Sequence, residues 1–256
     1  MICFDHHVHN YPQFSWQCLL EYSWQNLSQA ASEKVGSSKI HAAICLLETQ
    51  DSRWYSGIDD ALSDVAGWSV KYEISSEAKR AEHEDGRQIS IIKGRQIVTQ
   101  EKLEVLVIGN DEPLDNVPTL HECIEMHAEK AVVIPWAVGK WLGARGKVVN
   151  AALAQQSSLF NVGDNGGRPN TWNRVSQFDL AKGLGKTIIP GSDPLPLKNA
   201  EKRAGTSGVI VSGHLNDASG VQGLLSALTE NKFEAVFSSQ QSTLAFMRDQ
   251  LRLRMS

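Results

Sequence analysis

Short apolar runs alternate with longer amphipathic stretches along all 256 residues, and this alternation constrains the fold more than any other feature. Short runs rich in Val, Ile and Phe are typical of buried strands, whereas apolar residues that recur every three or four positions are typical of helices with one buried face. The pattern predicts strands at residues 1–8, 40–47, 70–74, 88–92, 105–108, 131–135, 158–162, 186–190, 209–211 and 233–237. It predicts helices at residues 17–34, 119–130, 146–156, 220–231 and 242–253.

These elements follow one another without a linker, a repeat or a change of composition. Strands that alternate with helices favour parallel pairing, and the number of units favours a closed barrel, with an open doubly wound sheet as the alternative. We therefore predict an α/β fold, a closed or nearly closed barrel that forms one domain over residues 1–256. Within it, residues 88–109 are predicted to form a hairpin, and the charged segment 75–86 is predicted to be a mobile loop.

Composition narrows the classes of partner. Lys and Arg number 25 against 29 Asp and Glu, a net charge of −4, so the chain has no overall positive charge to attract nucleic acid or anionic lipid. No apolar run approaches the ~20 residues that cross a bilayer, and the first residues lack the pattern of a signal peptide. The four cysteines are scattered without a CxxC pair, which favours reduced thiols. We therefore expect a soluble, cytoplasmic protein that binds neither membranes nor, through bulk charge, nucleic acid.

Histidines at the end of the first predicted strand are the first chemical signal. Side chains alternate along a strand, so Asp5, His7 and His9 are predicted to share one face while His6 faces the outer layer. Two imidazoles on one face can bind the same metal ion, and active sites of barrels lie at the C-terminal ends of the strands. Asp5 is either a third member of this group or a hydrogen-bond partner that orients an imidazole.

A carboxylate follows a later strand in a similar position. Residues 186–190 are apolar, and Gly191-Ser192-Asp193 comes directly after them. Asp in such a place is also an ordinary turn or helix N-cap residue. Together with His7 and His9, however, Asp193 completes two nitrogens and one oxygen, which suffice for a divalent metal such as Zn, Mn or Fe with an open position for water.

Three further side chains are predicted to reach the same end of the barrel. The Gly- and Asn-rich segment 161–169 carries Asp164, a candidate metal ligand, and Arg168, which binds substrate or forms a surface ion pair. Lys140 lies just past another strand end beside two tryptophans and is a candidate anion-binding residue. His214 follows a late strand and is a further candidate for the mouth, but a place away from it is favoured.

The two motifs together resemble a known family. Asp5-His6-His7-Val8-His9-Asn10 resembles the opening Asp-x-His-x-His motif of the PHP superfamily, named for polymerase and histidinol phosphatase, and Gly191-Ser192-Asp193 resembles its late Gly-Ser-Asp motif. The resemblance implies a distorted TIM-like (β/α)7 barrel, with seven βα units, that binds up to three metal ions and hydrolyses phosphoesters. The matches run in order from the first strand to residue 193.

Several expected ligands of that family are replaced in this chain. Its Thr-Asp-His motif stands here as Glu48-Thr49-Gln50-Asp51, its Gly-x-Glu as Gly94-Arg95-Gln96, its His-Pro as Ile134-Pro135, and its late His as Leu195. These departures argue against a trinuclear cluster. They leave a site for one or two metals, made by the ligands named above with an acid such as Glu48, Glu104 or Asp164.

From these observations we predict a metal-dependent phosphoesterase that acts on a small anionic substrate, phosphorylated or nucleotide-like. His7, His9 and Asp193 would bind the metal, and Asp164 or Glu104 would be a further ligand or the general base. Cationic side chains, Lys140 and Arg168, would offset charge on the phosphoryl oxygens. Two alternatives are an amidohydrolase-like C–N hydrolase, which shares HxH and a late Asp, and a non-catalytic barrel that binds a ligand or a partner protein.

Overall fold

A computed structural model describes residues 1–255, in which one eleven-stranded sheet carries all the strands. The strands are β1 (Ile2–Val8), β2 (His41–Glu48), β3 (Trp68–Ser75), β4 (Ala78–His83), β5 (Gln88–Val98), β6 (Glu104–Ile108), β7 (Ala131–Pro135), β8 (Asn161–Asn165), β9 (Ile189–Gly191), β10 (Gly208–Val211) and β11 (Ala235–Phe237). The helices are α1 (Trp16–Val35), α2 (Ile58–Ser63), α3 (Leu120–Met126), α4 (Gly143–Gln156), α5 (Ser176–Gly183), α6 (Ala218–Thr229) and α7 (Thr243–Met255). Ser157–Leu159 and Ala200–Arg203 form short 3-10 helices.

The strand order is β11-β10-β1-β2-β5-β6-β7-β8-β9, with the β3–β4 hairpin attached to β5. β6 is antiparallel to both of its neighbours, so the chain reverses twice and β1, β2, β5, β7, β8 and β9 all run in the same direction. β10 is antiparallel to β1 and to β11. Each of the seven α-helices in residues 1–255 follows a strand of this sheet. The antiparallel strands are therefore what distorts an otherwise regular strand–helix barrel.

The two ends of the row of parallel strands come together at β9 and β1. The backbone N–H of Asp193, two residues past β9, donates to the carbonyl of His7 in β1 at 2.8 Å. This contact nearly closes the sheet into a barrel. The predicted α/β, TIM-like barrel is confirmed, and so is the predicted hairpin, which is formed by β5 and β6.

Apolar side chains fill the barrel and cover its outside. Alternate residues of the strands, among them Ile2 and Phe4 of β1, make an inner cluster to which α6 contributes. One outer cluster lies between α1 and the outer face of β1 and β2. A second outer cluster lies between β6, β7 and β8 and the helices α3, α4 and α5. None of the helices in residues 1–255 has both the length and the apolar character needed to cross a membrane.

A bulge in β1 decides which histidines face the inside. Between two matched positions β1 has two residues, His6 and His7, where β2 has only Cys45. Cys45 belongs to the inner cluster, so both histidines lie on the inner side of the sheet. Gly191 of β9 confirms this placement, because a Cβ there would come within 2.5 Å of the His7 Cβ and 3.2 Å of the His6 ring.

The prediction that Asp5 shares a face with His7, while His6 faces outward, is therefore wrong. Asp5 pairs with Ile44, whose side chain lies in the outer cluster against α1. Strict alternation would put residues 5 and 7 on one face, but the extra residue of the bulge shifts the alternation by one. His7 and His9 still share the inner side.

The charged segment 75–86 is also not a loop. It contains β4, which pairs with β3 on one edge and with the first half of β5 on the other. A strand tolerates these charges because their side chains have partners in other segments, which the sequence does not show. Lys79 binds Asp59, and Arg80 donates to the carbonyl of Leu215. The short helices α2 and α5 were not predicted from the sequence.

We predict that Gly191→Ala weakens the closure of the barrel. The new Cβ would overlap His7, so we expect the free energy of unfolding to fall by about 1–3 kcal/mol. Gly223→Ala is the matched control, since its Cβ meets nothing within 4 Å and it lies in the interior of α6. That control should gain about 0.5–1 kcal/mol. Denaturant unfolding measures both variants, and equal stability of the two would contradict the close approach of β9 to β1.

Candidate metal centre

His7, His9 and Asp193 meet at the C-terminal end of the parallel strands. One ligand atom from each lies within 4.8 Å of those of the other two. His7 Nε2 is 3.4 Å from Asp193 Oδ1. The bulge turns His7 inward, the next inward position after it is His9, and the closure of β9 onto β1 brings Asp193 to them. The three residues predicted as metal ligands are thus adjacent in the fold.

Both imidazoles are buried and have ring nitrogens without a hydrogen-bond partner. His7 is 1% exposed and His9 is 3% exposed. Among residues 1–255, neither ring nitrogen of His7 nor Nδ1 of His9 has a hydrogen-bond partner. Burial lowers the pKa of His9, and His7 lowers it further. A neutral ring keeps a lone pair on one nitrogen, which is the form that binds a metal.

Asp193 is held as a carboxylate in a strained turn. Its φ of 43° lies in the left-handed region, which Asp tolerates better than most residues. The side-chain amide of Asn165 donates to Oδ2. Burial raises the pKa of Asp193, but His7, His9 and the Asn165 hydrogen bond outweigh it and keep the pKa below its usual value. The site therefore offers an anionic oxygen beside two imidazoles.

Gln96 also belongs to this site, although it was not among the predicted site residues. Its Oε1 lies 3.1 Å from His9 Nε2. The predicted strand stopped at residue 92, whereas β5 continues to Val98 and carries Gln96 to the same end of the barrel. The only signal in the sequence was its place in Gly94-Arg95-Gln96, because this segment stands where the PHP superfamily, which the chain resembles, has Gly-x-Glu.

Glu104 and Lys140 form an ion pair at the edge of this site. Glu104 is the first residue of β6, and because β6 runs antiparallel, that residue lies at the C-terminal end of its neighbours. The positive charge of Lys140 helps to lower the pKa of Asp193. The Lys140 side chain is 31% exposed, so its ammonium group also reaches solvent.

Asp164 and Arg168 are bound to each other. Arg168 Nε and Nη2 donate to the two carboxylate oxygens of Asp164, both at 2.7 Å, and Nη1 donates to the carbonyl of Trp172. The guanidinium also lies 5.5 Å from the centre of the Phe178 ring. The structure thus places both residues at the predicted end of the barrel but does not bring Asp164 into the cluster of ligands. Arg168 has its donors engaged within the protein.

Asp5 and Glu48 accept hydrogen bonds from backbone N–H groups, and His6 is fully buried. The Asp5 carboxylate accepts backbone N–H groups of His7, Ser192 and Gly205, so it ties the end of β1 to the segments after β9; burial raises its pKa to about 6. Glu48 accepts from the backbone N–H of Tyr55 at 2.6 Å and so holds its own loop. Burial lowers the pKa of His6 to about 3.

His214, the less favoured candidate for the mouth, does not reach it. It follows β10, which is antiparallel to β1, with Val211 opposite Ile2. The end of β10 therefore lies at the N-terminal end of β1, away from His7. Sequence alone did not show the direction of this strand.

Comparisons with known proteins support the fold. The sequence matches no protein-family model and no curated protein. Among solved structures, the chain is similar to the crystal structure of PsfC from Pseudomonas syringae PB-5123, with a TM-score of 0.54 and 17% identity over 99% of this chain and 98% of PsfC. A likeness at this identity shows that the two chains share a fold, and function has to be argued from the site itself.

We predict that Asp164→Asn destabilises the metal-free protein. It removes one charge of a buried bidentate pair, and we expect the free energy of unfolding to fall by about 3 kcal/mol. Glu230→Gln is the control, because the Glu230–Lys232 pair is exposed and its loss should cost less than about 1 kcal/mol. Unfolding in the presence of a chelator separates the two roles of Asp164: a variant with unchanged stability and lowered metal affinity would make it a ligand.

Proposed function

We propose that this protein is a metal-dependent hydrolase of the PHP type that acts on a phosphate ester of a small molecule. The observation that carries the proposal is the cluster of His7, His9 and Asp193 at the end of the barrel where strand C-termini meet. Two imidazoles and one carboxylate are a common ligand set for a catalytic divalent metal, because they leave positions for water and substrate.

The chemistry of the residues fits a metal ion. Buried polar atoms nearly always have a hydrogen-bond partner, yet three imidazole nitrogens of this site have no such partner among residues 1–255. An ionised Asp193 supplies the negative charge that offsets a cation. Zn, Mn and Fe(II) all accept nitrogen and oxygen donors of this kind.

A divalent metal in this place supplies Lewis-acid activation of a water molecule and of a phosphoryl oxygen. The residues of the chain do the rest. Asn165 and Gln96 orient Asp193 and His9. Glu104, beside the site, is the group we assign to accept a proton from the attacking water. Lys140 is the cation that faces both solvent and the site, so we assign it to the phosphoryl oxygens.

These contacts shift two assignments made from the sequence. Arg168 donates to Asp164 and to the Trp172 carbonyl, so Lys140 alone takes the cationic role in our proposal. Asp164 takes a structural role, because both of its oxygens accept from Arg168. The same three ligands would also suit a C–N hydrolase. Activity on phosphoesters or on amides distinguishes the two functions.

We predict that the double variant His7→Ala/His9→Ala loses its metal and its turnover. Two of three ligands are removed, so elemental analysis after dialysis against Zn or Mn should fall from about one equivalent to none. The control is His121→Ala/His214→Ala, which removes two exposed histidines outside the site. Unchanged metal content in the first variant would refute the site, and metal-loaded wild type that cleaves amides but not phosphoesters would favour the alternative.

We predict that Lys140→Gln lowers kcat/KM for phosphoesters by about 10²-fold without changing metal content. The expected size is that for the loss of one group that stabilises charge in the transition state. Lys147→Gln in α4 is the control, since that lysine is exposed and belongs to no ion pair of residues 1–255. Steady-state kinetics with a panel of phosphomonoesters measures both. Equal activity of the two variants would remove Lys140 from the mechanism.

A further inference from the structure

A cavity whose charged side chains are mainly positive lies near the candidate metal centre. Its volume is about 350 Å³, and it lies between the segment that follows β9 and the helix α7. Four cationic side chains line it, Lys198, Arg203, Arg248 and Arg252, against one carboxylate, Asp249, which forms an ion pair with Arg248. The chain as a whole has a net charge of −4, so this concentration of positive charge is local. Such a cavity favours an anion.

Arg203 is fixed in position but keeps donors free. Its Nη2 donates to the carbonyls of Gly166 at 2.8 Å and Ser239 at 3.2 Å. Its Nε and Nη1 donate to no other residue within 1–255. A half-buried guanidinium that is already oriented loses little side-chain entropy when it binds an oxyanion with the remaining donors.

Gln241 adds a buried acceptor to the same cavity. The side chain is 7% exposed, and its Nε2 donates to Asp249 Oδ2 at 2.9 Å. This contact fixes the orientation of the amide, because reversing it would place Oε1 against the carboxylate. Oε1 is buried and has no hydrogen-bond partner among residues 1–255. A ligand hydroxyl would satisfy it.

The cavity belongs to the same end of the barrel as the metal centre. The carbonyl of Gly166 accepts from Arg203, and its N–H donates to the carbonyl of Gly191 at 2.7 Å. Leu195, which lines the cavity, follows Asp193 by two residues. Neighbouring segments of the chain therefore link the cavity to the ligands of the metal.

We propose that this cavity binds a second oxyanion, with a neighbouring hydroxyl, on the molecule that is hydrolysed at His7, His9 and Asp193. The substrate class is then a phosphate ester that carries another phosphate or carboxylate group. This inference rests on the proposed function for the identity of the molecule, but the binding of an anion to the cavity does not need the metal.

The test uses the full chain after removal of metal with a chelator. Isothermal titration with inorganic phosphate and, in a second arm, with malonate distinguishes a phosphoryl from a carboxylate preference. The variant is Lys198→Gln/Arg252→Gln, in which both side chains are exposed, line the cavity and form no ion pair in residues 1–255. The control is Lys34→Gln/Arg254→Gln, which removes the same charge from exposed positions outside the cavity.

We expect one equivalent of phosphate or malonate to bind wild type and the control alike, and the cavity variant to bind at least tenfold more weakly. The arm with the higher affinity identifies the group. Absence of binding by both probes, or equal binding by the two double variants, would overturn the proposal while leaving metal content untouched. If anion binding behaves as expected and the His7→Ala/His9→Ala variant retains metal, the proposed catalysis fails and the anion site stands.

Discussion

Closure of β9 onto β1 is the constraint on which the rest of the structure depends. One backbone hydrogen bond, from Asp193 to His7, joins the ends of the row of parallel strands, and Gly191 has no side chain where the His6 and His7 side chains approach it. Asp5 reinforces the junction from the outer side, because it accepts the backbone N–H groups of His7 in β1 and of Ser192 after β9. Asp193 and His7, which make this contact, are two of the three candidate metal ligands, so the shape of the barrel and its candidate chemistry have the same origin.

Local patterns of the sequence predict much of this architecture. Buried strands and amphipathic helices leave periodic signals, and these were sufficient to predict the α/β barrel class and to place His7, His9 and Asp193 at strand ends. The predicted strands overlap ten of the eleven found in residues 1–255. The exception, β4, has a charged sequence whose partners lie in other segments: Lys79 pairs with Asp59, and Arg80 donates to the carbonyl of Leu215.

The errors concern relations between segments. The bulge in β1 exists only with respect to the register of β2, so alternation within β1 alone gave the wrong face for Asp5. The direction of β10, which removed His214 from the mouth, depends on pairing with β1. Likewise, whether Arg168 meets a substrate or Asp164 is decided by packing around the guanidinium. Sequence shows which chemical groups are available, and tertiary structure decides which are already engaged.

The pairing of β1 has a consequence for the order of folding. β1 lies between β2 and β10, so one of its edges is completed by residues about 200 positions later in the chain. Contacts over such separations form late, because a long loop has to be closed first. His7 and His9 lie far earlier in the chain than Asp193, and this third candidate ligand reaches them only when the segment after β9 folds onto β1. A nascent chain would therefore expose two histidines without a complete site, and a metal that binds all three would favour the closed barrel over its open precursors.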